Sequence, residues 1–386
     1  MSIYGIVCEF NPFHNGHKRI IDEAKRRGAD AVVVAMSGNA VQRGELAVLD
    51  KYTRAKAAVL CGADLVLELP YPWSASSAQS FARCGVEILS HFCDNIIFGS
   101  ECGDIEYLRG AANASATESF EREYNTLLQS GEGAAKAYFS LLEKEGFGGL
   151  SSNDLLGVEY IKAAKKYPNI TLHTVKREGA DYNETKLGEL DCPSASAIRG
   201  AWKKGENDLS AYIPKDALEV FNEAIERGEI VDETLLSRAL LMYFRLADAD
   251  TLSRFAQAEG GVANRICSMA DKVTDFEELF EELKTKRYTD AKLRRAILFS
   301  LTGVREEILK QKPEYTTLLG ADAKGRELLS KVRKEGGLPI VTKPADAPTE
   351  SEQYKLGRAL EAIFTLGLMN AKSLEDSYRK NAFIKN

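Results

Sequence analysis

Through its first 200 residues the chain alternates short apolar runs with helical stretches, and few architectures accommodate that rhythm. The runs are Ile3–Val7, Ala31–Met36 (AVVVAM), Asp64–Leu69 (DLVLEL, closed by Pro70), Asn95–Gly99 (NIIFG) and Ile170–Lys176 (ITLHTVK). Each has the length of a strand, and the near-continuous apolar character of the middle ones suits strands buried on both faces. Between them, helical spacing runs from His17 to about Arg27, and over Asp50–Cys61, Ser76–Phe92, Ser152–Lys166 and Ser194–Lys204. Ser152 or Asn153 is the expected cap of the fourth of these. Strands alternating with helices in this way predict βαβ units and an α/β, Rossmann-like parallel sheet. A helical insert, about 102–150, interrupts the alternation and ends in the glycine-rich Gly146–Leu150.

The rest of the chain reads differently. Beyond about Ala211 no strand stands out for a long way. Leu218–Arg227, Asp232–Ala247, Leu252–Ala258 and Lys292–Thr302 show helical apolar spacing, and a loop at Ala345–Glu352 precedes a last helix, Tyr354–Met369. Two domains are expected: residues 1–205, carrying the insert, and a mainly helical 206–386. A length of 386 residues fits that division.

Composition removes several function classes. With 44% hydrophobic and 28% charged residues, disorder and coiled-coil assemblies are excluded as whole-chain readings. No apolar run approaches the ~20 residues that a membrane span needs. The opening MSIYGIVCEFNPFH has neither a basic region nor a cleavage-site pattern, so a cytoplasmic protein without a membrane partner is expected. Seven scattered cysteines with no C-x-x-C pair favour reduced thiols over a disulfide framework or a zinc ribbon. A net charge of −6 argues against a protein coated in nucleic acid, while leaving room for a local basic patch.

Two of the four histidines share one short turn, Phe10-Asn11-Pro12-Phe13-His14-Asn15-Gly16-His17, directly after the first strand and at the start of the first helix. Ligands of doubly wound sheets bind beyond the carboxyl ends of the strands, and a helix N-terminus there suits phosphate. Imidazoles at i and i+3 can face one side and donate to phosphate oxygens. Gly16 is expected to let a base or phosphate chain approach the backbone, and Pro12 to stiffen the turn. An isolated HxxH also fits a polar turn or a metal pair; between strand and helix, in the Pro-x-His-x-Gly-His form, it reads as a phosphate site. No GxxxxGK[ST] occurs, so this is not a P-loop.

Asn11–His17 resembles the HxGH signature of the nucleotidyltransferase superfamily, whose HIGH-type relatives include class I aminoacyl-tRNA synthetases. Ser194-Ala195-Ser196-Ala197-Ile198-Arg199 resembles the superfamily's serine-rich turn ending in x-Ile-Arg, although it departs from the commoner Ser-Ser-Thr-x-Ile-Arg. Further segments are Met36–Glu45 (MSGNAVQRGE), Gly62–Pro70, Phe98–Glu101, Ser152–Asp154 and Lys176–Tyr182. With these, most of residues 1–200 is similar to the bacterial tRNA(Met) cytidine acetate ligase family, with a weaker echo in the helical half. Ala40 stands where that family leads one to expect an aromatic residue.

The resemblance implies a two-step reaction. Acetate attacks the α-phosphate of ATP to give acetyl-adenylate and pyrophosphate, and the acetyl group then passes to N4 of the wobble cytidine of elongator tRNA(Met). It implies His14 and His17 as the catalytic pair. ATP would be held by Val7, Phe10, Asn11, Pro12, Phe13, Asn15, Gly16, Lys18, Gly99, Asn153, Arg177, Ser194, Ser196 and Arg199. Ser37, Gln42 and Arg43 would lie at the acetate or phosphate end, and Mg2+ would accompany ATP without protein metal ligands. No obligatory protein partner is implied. Lys18 or Arg43 taken alone also reads as a solvated charge, Lys18 more readily than Arg43.

A tRNA substrate needs a docking surface. Lys284, Lys286, Arg287, Lys292, Arg294 and Arg295 set six basic residues against one acid, Asp290, within twelve positions, and Tyr288 among them is placed to stack on an unpaired base. The acidic run Asp275–Glu282 reads as solvated surface. Two other classes remain at this point. A small-molecule adenylyltransferase joining ATP to a phosphorylated acceptor has no use for about 180 further residues bearing a basic stretch. A non-catalytic RNA-binding protein with a degenerate nucleotide fold has no use for both histidines.

Overall fold

The computed structural model describes residues 1–177, 194–206, 208–259, 261–285 and 287–386. Five strands, β1 (Ile3–Cys8), β2 (Ala31–Ser37), β3 (Leu65–Leu69), β4 (Asn95–Ser100) and β5 (Thr171–Lys176), lie in the order β5-β4-β1-β2-β3 and run parallel. All seven residues of β2 are buried, as its continuous apolar run requires of a central strand covered on both faces.

Alternate residues face alternate layers. Val33, Leu67 and Ile96 pack on one face with Phe81 and Val158, from α3 (Ala78–Ser90) and α7 (Ser152–Ala164). Val32, Val34 and Ile97 pack on the other with Ile21, Ala58, Ile198 and Phe221. These come from α1 (Asn15–Arg26), α2 (Lys51–Leu60), α8 (Ala195–Lys203) and α9 (Lys215–Glu226). The insert forms α4 (Ile105–Ala114), α5 (Glu118–Gln129) and α6 (Ala134–Lys144). Ser151, one residue before the expected cap, closes α7. Its hydroxyl accepts the Asp154 N–H at 3.2 Å and Asp154 accepts the Ser151 N–H at 2.9 Å, a reciprocal capping box that an Asn153 cap would not make.

The sheet draws a strand from beyond residue 206. β6 (Thr316–Ala321) pairs antiparallel with β3, placing Leu67 opposite Leu318, and β7 (Ile340–Val341) and β8 (Phe383–Ile384) pair with β6. The sheet is thus parallel through its first five strands and mixed at this edge. The physical reason is the edge itself: β3 would otherwise leave a row of unpaired backbone groups, and β6 covers it while burying Leu318, Leu319 and Ala321.

A satellite core lies in the second half, where Phe244, Ile266, Leu279 and Leu293 meet from Ser237–Leu246, Val262–Ala270, Phe276–Leu283 and Asp290–Thr302. Leu298 and Phe299 of the last helix join the main core, tying the two together. The expected helix at Leu252–Ala258 is a short one at Ala249–Leu252, capped by Asp248 and followed by turns. Among the described residues no helix is long and apolar enough to cross a membrane, and the six described cysteines are free.

Candidate active site

The histidine turn is built by burial. Phe10 follows the first strand in the left-handed region, φ +45°, which a bulky residue occupies only when its surroundings impose it, and the Asn11–Pro12 peptide is cis. Phe10 and Phe13 stack edge-on, ring centroids 4.8 Å apart, and both are buried. His14 is the N-cap of α1: its Nδ1 accepts the Gly16 N–H at 3.0 Å, while Nδ1 of His17 accepts the His14 N–H at 3.3 Å.

Those two bonds decide the chemistry. A neutral imidazole that accepts at Nδ1 carries its proton on Nε2, so both rings keep an Nε2–H donor for the cavity they line. Burial pushes the His14 pKa down to about 3, with Arg177 adding to it. Burial, then His14 and Arg177, hold His17 well below the usual range. The rings are neutral at pH 7 and lie against each other with their planes tilted by 34°, centroids 3.8 Å apart. Gly16 serves this pair directly: a Cβ there would stand 2.8 Å from Cε1 of His14, so the missing side chain makes room for the ring as well as for a ligand.

The cavity of about 240 Å³ sits where the strand order reverses, between β1 and β4. One wall comes from β4 and β5. Gly99 lies against Arg177, Asn153 Nδ2 donates to Glu101 Oε1 at 2.6 Å, and Arg177 Nε is 3.7 Å from that oxygen. The opposite wall comes from the exits of β1 and β2: Glu9, Gln42, Arg43 and Glu45. Over it stands the start of α8. Ser194 caps that helix, accepting the Ala197 N–H at 3.1 Å. Arg199 donates to the Asn11 carbonyl at 2.8 Å and to Ser196 Oγ at 3.2 Å, and lies 3.6 Å from Glu45. The Ser-x-Ser-x-Ile-Arg segment therefore clamps the histidine turn from above.

Val7, Phe10 and Asn11 also line the cavity; Pro12, Phe13, Asn15, Lys18 and Ser37 do not. Phe13 is core, Pro12 is buried within the turn, and Ser37 is fully buried. Asn15 ties α1 to the following segment, its Nδ2 donating to the Ala211 carbonyl at 2.9 Å. Lys18 follows His17 by one residue, about 100° around the helix, so it pairs with Asp22 and borders a separate shallow groove. Ala40 is buried and bridges to Leu46.

Sequence reasoning passed over Glu9 and Arg54. Arg54 is fully buried and donates to three carbonyls, of Leu49 at 2.8 Å, Glu9 at 2.6 Å and Gly38, stitching the exits of β1 and β2 together. Burial pushes its pKa down to about 10. An arginine on an otherwise alanine-rich buried helix face was the available signal.

The basic stretch divides in two. Arg287 and Lys292 flank the Tyr288 ring at 5.5 and 5.3 Å, and Lys284 pairs with Glu281 at 2.5 Å. Arg294 turns inward to Glu45 at 3.4 Å and Glu233 at 3.6 Å. Arg295 is enclosed, donates to the Gln42 carbonyl at 3.1 Å, and has its pKa lowered to about 10 by burial. Gly44, φ +77°, packs so closely that a Cβ would stand 2.5 Å from the Arg295 nitrogen. Both inward arginines hold the 39–46 loop. Lys286 and residues 178–182 lie outside the described residues. Among the described residues no group of three or more His, Cys, Asp or Glu side chains converges as a metal cage.

A Rossmann-like sheet with a histidine pair at its switch point defines a nucleotidyltransferase of the HIGH class, and the family model described as HIGH Nucleotidyl Transferase matches residues 1–379. A tRNA(Met) cytidine acetate ligase of Acetivibrio thermocellus is 35% identical over 372 residues, 90% of this chain and 89% of the relative. One of Caldanaerobacter subterraneus is 34% identical over 388 residues, 96% of each. The crystal structure of apo Thermotoga maritima TmcAL superposes with a TM-score of 0.89 at 30% identity, covering 100% of this chain and 99% of that one. The same protein bound with alpha-thio ATP gives 0.88 at 29%, covering 100% of each. The chain belongs to the tRNA(Met) cytidine acetate ligase family.

Proposed function

We propose that this protein uses ATP to activate acetate and transfers the acetyl group to N4 of the wobble cytidine of elongator tRNA(Met), in the cytoplasm. The observation that carries the reading is the neutral histidine pair, whose Nδ1 atoms are committed to backbone N–H groups and whose Nε2–H donors remain for a phosphoryl group. An acetate oxygen attacks the α-phosphorus of bound ATP and pyrophosphate leaves. His14 and His17 donate to the α-phosphoryl oxygens as charge builds, a stabilisation prepared before the reaction begins. Gly99, Asn153 and Arg177 hold the nucleoside side. The α8 N-terminus, with Ser194, Ser196 and Arg199, and the neighbouring Gln42 and Arg43 receive the phosphates and acetate. Magnesium would enter on the nucleotide phosphates and keep most of its waters, which calls for no acidic cage of three or more side chains, and none converges among the described residues.

Residues 1–205 carry activation in this reading, and 206–386 bring the RNA. Lys284, Arg287, Tyr288 and Lys292, with Lys286, meet its phosphates and unpaired bases. The test is incubation with ATP, radiolabelled acetate and unmodified tRNA, followed by digestion to nucleosides. Labelled N4-acetylcytidine is expected, falling about 10²–10³-fold in His14→Ala or His17→Ala, the range for loss of one prepared donor. No label on tRNA, with the folded protein adenylylating a phosphorylated small molecule instead, would replace this reading by the second class.

A further inference from the structure

The transfer step leaves one proton to be placed. When N4 of cytosine attacks the acetyl carbonyl, a C–N bond forms, the bond from the carbonyl carbon to the adenylate oxygen breaks, AMP departs, and N4 must lose one of its hydrogens as a proton. The histidines are poorly suited to take it: both Nδ1 acceptors are occupied and both Nε2 atoms are protonated. Resting on the acetate-ligase reading, we infer that Glu9 is the general base that receives the N4 proton.

Three placements carry this. First, Glu9 directly follows β1 and lines the same cavity as His14, His17, Gly99, Asn153 and Arg177, on the β1–β2 side of the point where the strand order reverses. Second, that side of the cavity is the one continuous with the RNA side. Glu9 Oε1 accepts the Gln42 N–H at 2.9 Å, and the Gln42 carbonyl accepts from Arg295, on the helix that begins beside Tyr288 and Lys292. Glu9 is thus joined through Gln42 to the helix that would carry the RNA contacts. Third, among the described residues only Oε1 of the Glu9 carboxylate accepts a hydrogen bond, and the side chain lines the cavity.

The groups facing Glu9 leave it more basic than an exposed carboxylate. Burial raises its carboxyl pKa, and Glu45 adds to this, while Arg199 and Arg43 and the Gln42 N–H oppose it. Cys8 and Arg54 stand beside it, and Tyr160 lines the same cavity from α7. A carboxylate with an elevated pKa is a stronger proton acceptor than an exposed one.

The two half-reactions separate the possibilities. Acetate-dependent ATP–pyrophosphate exchange reports activation; single-turnover transfer from enzyme-bound acetyl-adenylate to tRNA reports the second step. In Glu9→Gln, which keeps an acceptor for the Gln42 N–H, the ratio of transfer to exchange is expected to fall about 10²–10⁴-fold, the usual weight of a general base. Transfer by the unaltered protein should rise with pH until Glu9 is ionised and then level; in Glu9→Gln that rise should vanish, and in Glu9→Asp it should persist at an intermediate rate. A Glu9→Gln protein with an unchanged ratio, or one that keeps the rising profile, overturns the assignment. Exchange and transfer falling together would make Glu9 a support for the loop and overturn it equally. Absence of acetate-dependent exchange in the unaltered protein overturns the ligase reading, and this one with it.

Discussion

The histidine turn and the 284–295 stretch both gather nitrogen-bearing side chains, and the fold treats them in opposite ways. In the turn, burial strips the charge from His14 and His17 and backbone bonds fix which nitrogen holds the proton. In the basic stretch, Arg287 and Lys292 flank an aromatic ring, while Arg294 and Arg295 turn inward to hold a loop of the cavity. The lesson is that the number of cations in a segment says little about its work. What decides it is which of them the fold desolvates.

Gly16→Ala tests the turn most severely. The added carbon would press on Cε1 of His14 and displace a donor by a fraction of an ångström, and activation is expected to fall about 10²-fold with tRNA affinity little changed. Acetate-dependent exchange and a tRNA filter-binding assay read the two separately. An affinity loss with intact exchange would show that the turn serves RNA binding rather than activation.

The next effect is on stability. His14 has a folded pKa of about 3 against an unfolded value near 6.5, so its neutral burial is fully favourable above pH 6.5 and is lost as pH falls toward the folded value. Between pH 7 and pH 4.5 this term should cost on the order of 2 kcal/mol. Urea melts at the two pH values should show a drop that shrinks by that amount in His14→Asn, which keeps a capping side chain without the titration.

Arg295→Ala and Arg287→Ala should then part company. Losing the enclosed arginine removes its bond to Gln42 and leaves a void, expected to cost about 1–3 kcal/mol in unfolding free energy. Losing the outer one should leave stability within about 0.5 kcal/mol. It should instead lower the slope of log affinity for tRNA against log salt by about 0.7. Equal salt effects in both variants would place Arg295 on the RNA surface after all.

How much of this was legible depended on whether a residue's environment is set locally. Strands β1 to β5 could be read because each is a short apolar run bounded by turn residues, and the histidine turn because its spacing is itself the motif. β6 was not legible. TTLLGA is equally a buried helical turn or a strand, and only the bare edge of β3 decides between them. Glu9 was passed over because an acid after a strand is ordinary until the fold closes a cavity around it. Lys18 stands outside the cavity because neighbours in sequence do not face one way on a helix. Arg294 and Arg295 carried no local sign that the 39–46 loop would come to rest on them.

Leu67 finds its antiparallel neighbour Leu318 some 250 residues later in the chain. At translation speeds of about 5–20 residues per second, β3 emerges from a ribosome roughly 12–50 seconds before the strand that covers it. Through that interval the nascent first half presents an apolar, hydrogen-bond-hungry edge, the very surface on which chains join one another. The partner of this edge is made late, so the yield of folded protein in a cell depends on what shields β3 while synthesis continues.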